Sequence, residues 1–319
     1  MKASIIIPNR NDTVMLGVTV RTILENIRDI DAEIIIVDNS DDDIYAVLKK
    51  RNVSPIPLGY IDEGRMKLIR QDFPSMYAAA ETGANIANGE YLFKCDSHVM
   101  WGANVVKDCI EFMDSHPNAG CCSSPINWIN RRDDFACSEI GKSADGGVFG
   151  GWKRSKLPKK ISWGFGYRVI RKDWYNEING FSFFANKRIS WGGGEFYLSM
   201  KSWLMGKENW SIKTNPVYHI GPHAKELEKL TGYKFRVYVG SGNGKVGLGI
   251  LAAFYALGGN EAKEECKKSA GGLKSQYGID IDRDWPLARE FAKEDHEWIL
   301  EHQKISFKEL LEKEPWNEC

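Results

Sequence analysis

Tyr91-Leu92-Phe93-Lys94-Cys95-Asp96-Ser97-His98 decides how the rest of the chain is read. A mostly apolar strand ends here in two metal-competent side chains, two positions apart. In extended backbone, residues i and i+2 project to the same face, so Asp96 and His98 point the same way. A carboxylate oxygen and an imidazole nitrogen both suit a divalent cation such as Mn²⁺. Open α/β sheets bind ligands at the carboxyl ends of their strands, where a metal could carry a diphosphate. An Asp-x-His standing alone would more simply be a polar strand end; its surroundings change that reading.

Outward from this stretch, residues 3–8 (Ala-Ser-Ile-Ile-Ile-Pro) and 33–38 (Glu-Ile-Ile-Ile-Val-Asp) are short β-branched runs. They are continuous rather than alternating, as expected of strands buried on both faces of a parallel sheet. Between them, residues 13–28 have helical periodicity, with Val14, Leu16, Val18, Val20, Ile23, Leu24 and Ile27 lining a broad apolar face. Residues 66–70 and 90–95 add two strands, and 75–87 and 103–113 two helices. This alternation predicts a doubly wound α/β sheet over roughly the first 120 residues. Residues 127–160 are polar, Gly-containing and basic, and predict an ordered loop or excursion. A strand is expected over 161–170, then a helix start at Arg171-Lys172-Asp173-Trp174 and a helix over 195–204. From 224 onward the chain is Lys/Glu-rich with helical spacing, as in 262–274 and 287–302. We therefore expect a main domain over 1–223 and a helical extension over 224–319.

Composition narrows the function classes. Lys plus Arg and Asp plus Glu both number 43, and 43% of the 319 residues are hydrophobic. There is a core to bury but no global charge for nucleic acid or membrane binding. No apolar run reaches the roughly 18 residues of a membrane span, and the start lacks signal-peptide architecture. Seven cysteines without a repeated spacing point to reduced thiols and a cytoplasmic protein. Gly240-Ser-Gly-Asn-Gly-Lys245-Val246 is not a phosphate-binding P-loop. It has three residues between its outer glycines, and Val246 stands where a Ser/Thr would meet Mg²⁺.

Three segments join Asp96-Ser97-His98. They are Pro8-Asn9-Arg10-Asn11-Asp12, Val37-Asp38-Asn39-Ser40, and a long stretch from Trp163-Gly164-Phe165-Gly166 through Asn179-Gly180-Phe181 to Trp191-Gly192-Gly193-Gly194-Glu195. Val217-Tyr218-His219 follows. In order and spacing these elements resemble GT-A fold glycosyltransferases of the family-2 type, with particular similarity to polypeptide N-acetylgalactosaminyltransferase catalytic domains. The resemblance covers residues 3–221. It implies that Asp96, His98 and His219 bind a metal, Mn²⁺ in preference and Mg²⁺ as the alternative, because two imidazoles are unusual for Mg²⁺. It further implies a UDP-sugar donor. Pro8, Asn9, Asp12 and Asp38 would lie at its nucleoside, Asp38 on the uracil edge. Gly164, Gly166, Trp191, Gly193 and the carboxylate of Glu195 would lie at its sugar.

The resemblance implies transfer of a hexose or N-acetylhexosamine to an acceptor hydroxyl, with retention at the anomeric carbon. Inversion, with Glu195 as general base, is the alternative. Two matching helix positions are Ala80 and Glu81 where many relatives carry Arg-Asn, and Trp191-Gly-Gly-Gly-Glu195 has one glycine more than the family motif. A nucleotide-sugar or glycan binding protein with a degenerate fold is a second class of reading, and a nucleotidyltransferase a third. The acceptor stays open among glycan, lipid-linked, protein and modified nucleic acid. The basic run Trp152-Lys-Arg-Ser-Lys-Leu-Pro-Lys-Lys160 is either a solvated loop or a clamp for phosphates.

Overall fold

A computed structural model describes residues 1–41, 64–128, 137–140, 143, 146–149, 152–155, 158–162, 167–185, 189, 192–220 and 243–313. In chain order its elements begin with β1 (Ala3–Asn9), α1 (Thr13–Asn26), β2 (Ala32–Asp38), β3 (Met66–Arg70), α2 (Met76–Ile86), β4 (Tyr91–Cys95), β5 (Val99–Trp101), α3 (Val105–Ser115) and β6 (Ala119–Ser123). Then come β7 (Ile126–Trp128), β8 (Cys137–Ile140), β9 (Trp152–Ser155), β10 (Lys159–Lys160), β11 (Tyr167–Arg171), α4 (Lys172–Glu177), α5 (Gly194–Leu204), β12 (Glu208–Ser211) and β13 (Val217–His219). The described chain ends with α6 (Asn243–Lys268), α7 (Ala270–Tyr277), α8 (Ile281–His302) and α9 (Phe307–Leu311).

The central sheet has eight strands in the order β10-β12-β6-β11-β4-β1-β2-β3. β11 runs against both β4 and β6, and β10 against β12, while the other pairings are parallel. A second sheet, β5-β13-β7, sits beyond the carboxyl end of β4. The uninterrupted apolar runs of β1 and β2 have a direct cause. Ile5, Ile7, Ile34 and Ile36 pack on one face with Leu16 and Val20 of α1 and Val105 and Cys109 of α3. Ile6, Ile35 and Val37 pack on the other face with Ala79, Ala80 and Ala84 of α2. A strand covered on both sides has no solvent face to alternate toward.

The C-terminal helices belong to this second face. Ile250, Leu251 and Phe254 of α6 share a core with Phe196 and Leu198 of α5, and the Phe196 and Phe254 rings stack at 4.7 Å. Inside α6, Gly259 leaves helical geometry (φ 51°, ψ −129°), so the apolar stretch 246–257 and the charged stretch after it are separate rods. α8 closes against α5 through a fully buried ion pair, Lys201 Nζ to Asp295 Oδ1 at 3.3 Å. The Tyr197 hydroxyl donates to Asp295, and Ser182 donates to it at 2.5 Å. Paired and hydrogen-bonded in this way, two buried charges are tolerated.

The expected elements through residue 113 all form. Two later readings change. The strand expected over 161–170 is Tyr167–Arg171, with 163–166 outside the described residues. The segment 127–160, read as a loop, contains the antiparallel pair β8–β9 and the edge strand β10. The strands β5, β6 and β12 were not foreseen, being short and lacking continuous β-branched runs; β6 reads Ala-Gly-Cys-Cys-Ser. Residue 223, the expected boundary, lies outside the described residues. Cys95, Cys109, Cys121, Cys122 and Cys266 are free and buried. No helix among the described residues is long and apolar enough to cross a membrane.

Candidate active site

The site is assembled at the carboxyl end of β4. β4 stops at Cys95, and the turn that follows carries Asp96 and His98. Thr19 of α1 clamps this turn. Its Oγ1 lies 2.8 Å from the carbonyls of both Ser97 and Val99, which share its single proton, and accepts from the Val99 amide at 3.0 Å. β13 pairs with β5 so that His219 lies opposite Val99, and the Ile220 amide donates to the His98 carbonyl at 3.1 Å. This ladder delivers His219 to residues more than a hundred positions earlier. One ligand atom from each of Asp96, His98 and His219 falls within 4.8 Å of the others. His219 Nε2 is 3.3 Å from Asp96 Oδ2, and the two imidazoles meet edge to face at 4.7 Å.

One carboxylate oxygen and two imidazole nitrogens converging on one space are a donor set fitted to a divalent transition ion. For Asp96 and His219 the electrostatics agree. Burial opposes the charge on Asp96, but Lys94 and the two histidines outweigh it and hold the carboxyl well below its usual range. Burial also opposes charge on both imidazoles. For His98 the carboxylate of Asp12 outweighs it and raises the value, whereas His219, beside His98, stays below the ordinary value.

Asp12, at the start of α1, accepts from Ser97 Oγ at 3.2 Å and lies 2.8 Å from His98 Nδ1. Its carboxylate thus orients a candidate ligand, a role that spacing alone did not suggest. Pro8 and Asn9 form the end of β1 beside Asp38 at the end of β2. The Asp38 carboxylate accepts from Asn9 Nδ2 (2.8 Å), Ser40 Oγ (2.6 Å) and Arg70 Nη1 (2.8 Å), and the residue is 1% exposed. In this structure Asp38 braces the turn after β2, and Arg70 presents the half-exposed group there.

Glu195 occupies the first turn of α5, with Gly193 as the residue before the helix. Tyr77 of α2 donates its hydroxyl to Glu195 Oε2 at 2.9 Å and accepts from the Gly194 amide at 3.0 Å. Burial and the Glu195 charge push the Tyr77 phenol well above its usual value, so it stays a donor. The three glycines before Glu195 each have a reason. Gly192 (φ 103°) and Gly193 (φ 85°) hold backbone that favours glycine, and a Cβ on them would come within 2.4 and 2.6 Å of the Val246 and Gly249 carbonyls of α6. A Cβ on Gly194 would meet the Tyr77 ring at 2.1 Å. The extra glycine therefore fits the chain between α6 and Tyr77.

Gly164, Gly166 and Trp191 lie outside the described residues, as does Trp163. Sequence reasoning missed Thr19, Tyr77, Lys94 and Arg168. Lys94 and Arg168 did leave a signal. Each is a charge inside an otherwise apolar strand, at the parity of Leu92 and Ile170, which face the core.

A mostly parallel sheet with an inserted antiparallel strand and a ligand-bearing turn at its carboxyl edge is the GT-A architecture of nucleotide-sugar transferases. The chain belongs to glycosyl transferase family 2, whose model matches residues 4–178. Among solved structures it is similar to GalNAc-T7, solved with UDP, GalNAc and Mn²⁺, at TM-score 0.68 and 19% identity over 100% of this chain. The chain spans 57% of that structure's length. It is also similar to the mannosyltransferase PcManGT from Pyrobaculum calidifontis, solved with GDP-Man and Mn²⁺ (TM-score 0.53, 12% identity, 99% of this chain and 82% of that one). No curated protein matches the chain.

Proposed function

We propose that this glycosyltransferase moves a hexose or N-acetylhexosamine from a UDP-sugar to an acceptor hydroxyl, using Mn²⁺ held by Asp96, His98 and His219. The observation that carries the reading is the convergence of these three side chains at the carboxyl edge of the sheet, with Glu195 on a neighbouring helix start. A divalent cation held there would supply a Lewis acid to neutralise charge on a departing diphosphate.

The chain's own residues do the rest. Asp12 fixes the His98 ring, and Thr19 fixes the turn that carries it. Arg70, Asp38 and Asn9 shape the end of the sheet where the nucleoside is expected. Glu195, oriented by Tyr77, grips sugar hydroxyls and sets the anomeric carbon for transfer, and the glycines before it allow close backbone approach. A gripping role for Glu195 goes with retention. The acceptor is a glycan, protein, lipid-linked sugar or modified nucleic acid, and the buried free thiols support a reducing, cytoplasmic setting.

The test is donor hydrolysis and transfer across a panel of UDP-sugars, with Mn²⁺, Mg²⁺ or a chelator, against glycan, protein and hydroxymethylated-DNA acceptors. Metal-dependent release of UDP is expected. Full turnover in chelator would overturn the metal assignment, and nucleotide binding with no turnover on any acceptor would favour a binding protein.

A further inference from the structure

Two basic side chains lie under the candidate site with little of their own to hold. Lys94 and Arg168 are directly opposite each other in the β4–β11 ladder, and directly opposed residues project to the same face. That face is the one of Leu92, Ile170, α2 and α5. Lys94 is 8% exposed and Arg168 is 4% exposed. The Lys94 ammonium bonds Asp96 Oδ1 at 2.8 Å, and its other neighbour is the Met76 sulfur at 3.8 Å. Arg168 Nη1 is buried without a hydrogen-bond partner among the described residues. The carboxylates nearest in charge to Arg168, Glu195 and Asp96, are bonded by Tyr77 and by Lys94 and His219.

A buried cation needs an anion, and a buried like-charged pair needs one more. Asp96 is the one carboxylate of the metal-ligand set, and Lys94 already holds one of its oxygens. A metal ion arriving alone must share that carboxylate with the ammonium and brings two further positive charges up against Lys94. A metal arriving with a diphosphate brings further anionic oxygens, so that Lys94 and Arg168 no longer depend on a carboxylate the metal also needs.

Resting on the nucleotide-sugar reading above, we infer that Lys94, backed by Arg168, makes cation binding depend on the donor diphosphate: the site is built to hold metal and nucleotide together and to hold the metal alone poorly. Lys94 is a positioning and coupling residue, and its removal strengthens the binding of bare metal.

The experiment measures Mn²⁺ affinity by electron paramagnetic resonance, with and without saturating UDP, in the wild type and in Lys94→Met and Lys94→Arg. Wild type is expected to bind Mn²⁺ at least about tenfold more tightly with UDP than without it, and by linkage UDP is helped by the same factor. Lys94→Met is expected to bind Mn²⁺ alone at least about tenfold more tightly than wild type, because a cation beside the ion has gone, and to lose most of the coupling to UDP. Lys94→Arg keeps the charge and is expected to keep both wild-type properties. It also serves if the methionine variant does not fold, since in that case an Arg variant with tight bare-metal binding overturns the inference. Tight Mn²⁺ binding by wild type without UDP, or unchanged coupling in Lys94→Met, overturns it while leaving the transferase reading in place. Failure of wild type to bind UDP with Mn²⁺ present overturns the nucleotide reading and the inference with it.

Discussion

The Asp12 carboxylate lies 2.8 Å from Nδ1 of His98, so the residue that opens α1 holds the ring of a candidate metal ligand beyond β4. The contact leaves Nε2 of His98 as the nitrogen for an ion. Asp12→Asn should therefore lower Mn²⁺ affinity by roughly 10–100-fold, the usual cost of losing an outer partner of a ligating histidine. Circular dichroism should show an intact fold. A variant with wild-type Mn²⁺ affinity would show that Asp12 does not serve the metal.

His219→Ala should remove a ligand without opening a core cavity of consequence, since its ring lies at the site. Mn²⁺ binding measured with UDP present should fall by more than tenfold, while thermal stability changes little. Asp96→Asn should abolish Mn²⁺ binding and cost more in stability, because it strips Lys94 of its one carboxylate partner at hydrogen-bond distance among the described residues. Retained metal affinity in both would dissolve the three-residue site.

Tyr77→Phe and Glu195→Ala separate orienting from reacting. Losing the Tyr77 hydroxyl removes one hydrogen bond to a charged group, worth about 1.5–3 kcal/mol, and should lower kcat/KM by roughly ten- to a hundredfold. Glu195→Ala should raise KM and lower kcat in part if the carboxylate grips the sugar. Complete loss of turnover in Glu195→Ala, with a product of inverted anomeric configuration by proton NMR, would instead make it a general base.

The Lys201–Asp295 pair gives stability a pH signature. Burial brings the Lys201 ammonium down to about 8 from an ordinary 10.5, against the opposing pull of Asp295. Between these values the unfolded chain binds more protons than the folded one. Stability from this group therefore rises as pH climbs through that window, and the penalty is constant below about pH 8. In urea unfolding across pH 8 to 10.5, Lys201→Met should show a flatter rise than wild type. At pH 7 it should be less stable by about 3–5 kcal/mol, the usual cost of removing one partner of a buried ion pair. Identical pH slopes in the two proteins would show that Lys201 does not titrate in this way.

What was legible in the sequence follows from what each segment needs locally. The Ile runs of β1 and β2, the Ala-rich α2 and the turn at Asp96-Ser97-His98 state their surroundings in their own composition, so their placement could be read. His219 was reachable through the order of motifs in a resembling family, not through anything in Val217-Tyr218-His219 itself. The partnership of Asp12 with His98, and of Tyr77 with Glu195, joins residues 86 and 118 positions apart. No periodicity records such pairs. β6 and β12 were hidden for a different reason: they are held by neighbours in the sheet rather than by intrinsic preference, which for short strands is weak. Lys94 and Arg168 were visible as misplaced charges, but their meaning depends on a ladder register that only the structure supplies.

The close packing of Gly192 and Gly193 against the carbonyls of Val246 and Gly249 sets an order of events during synthesis. Chains fold as they emerge, earlier segments first. The sheet and the Asp96–His98 turn can form while later residues are still being added. The approach to Glu195 cannot take its final path until residues 246–249 exist to lie beneath it. A nascent chain arrested before that point would hold half of the candidate site, with the Asp96–His98 turn in place but the Glu195 carboxylate still unset. The approach to Glu195 is thus set only once the first C-terminal helix has docked, so this half of the candidate site is the last part of it to be assembled.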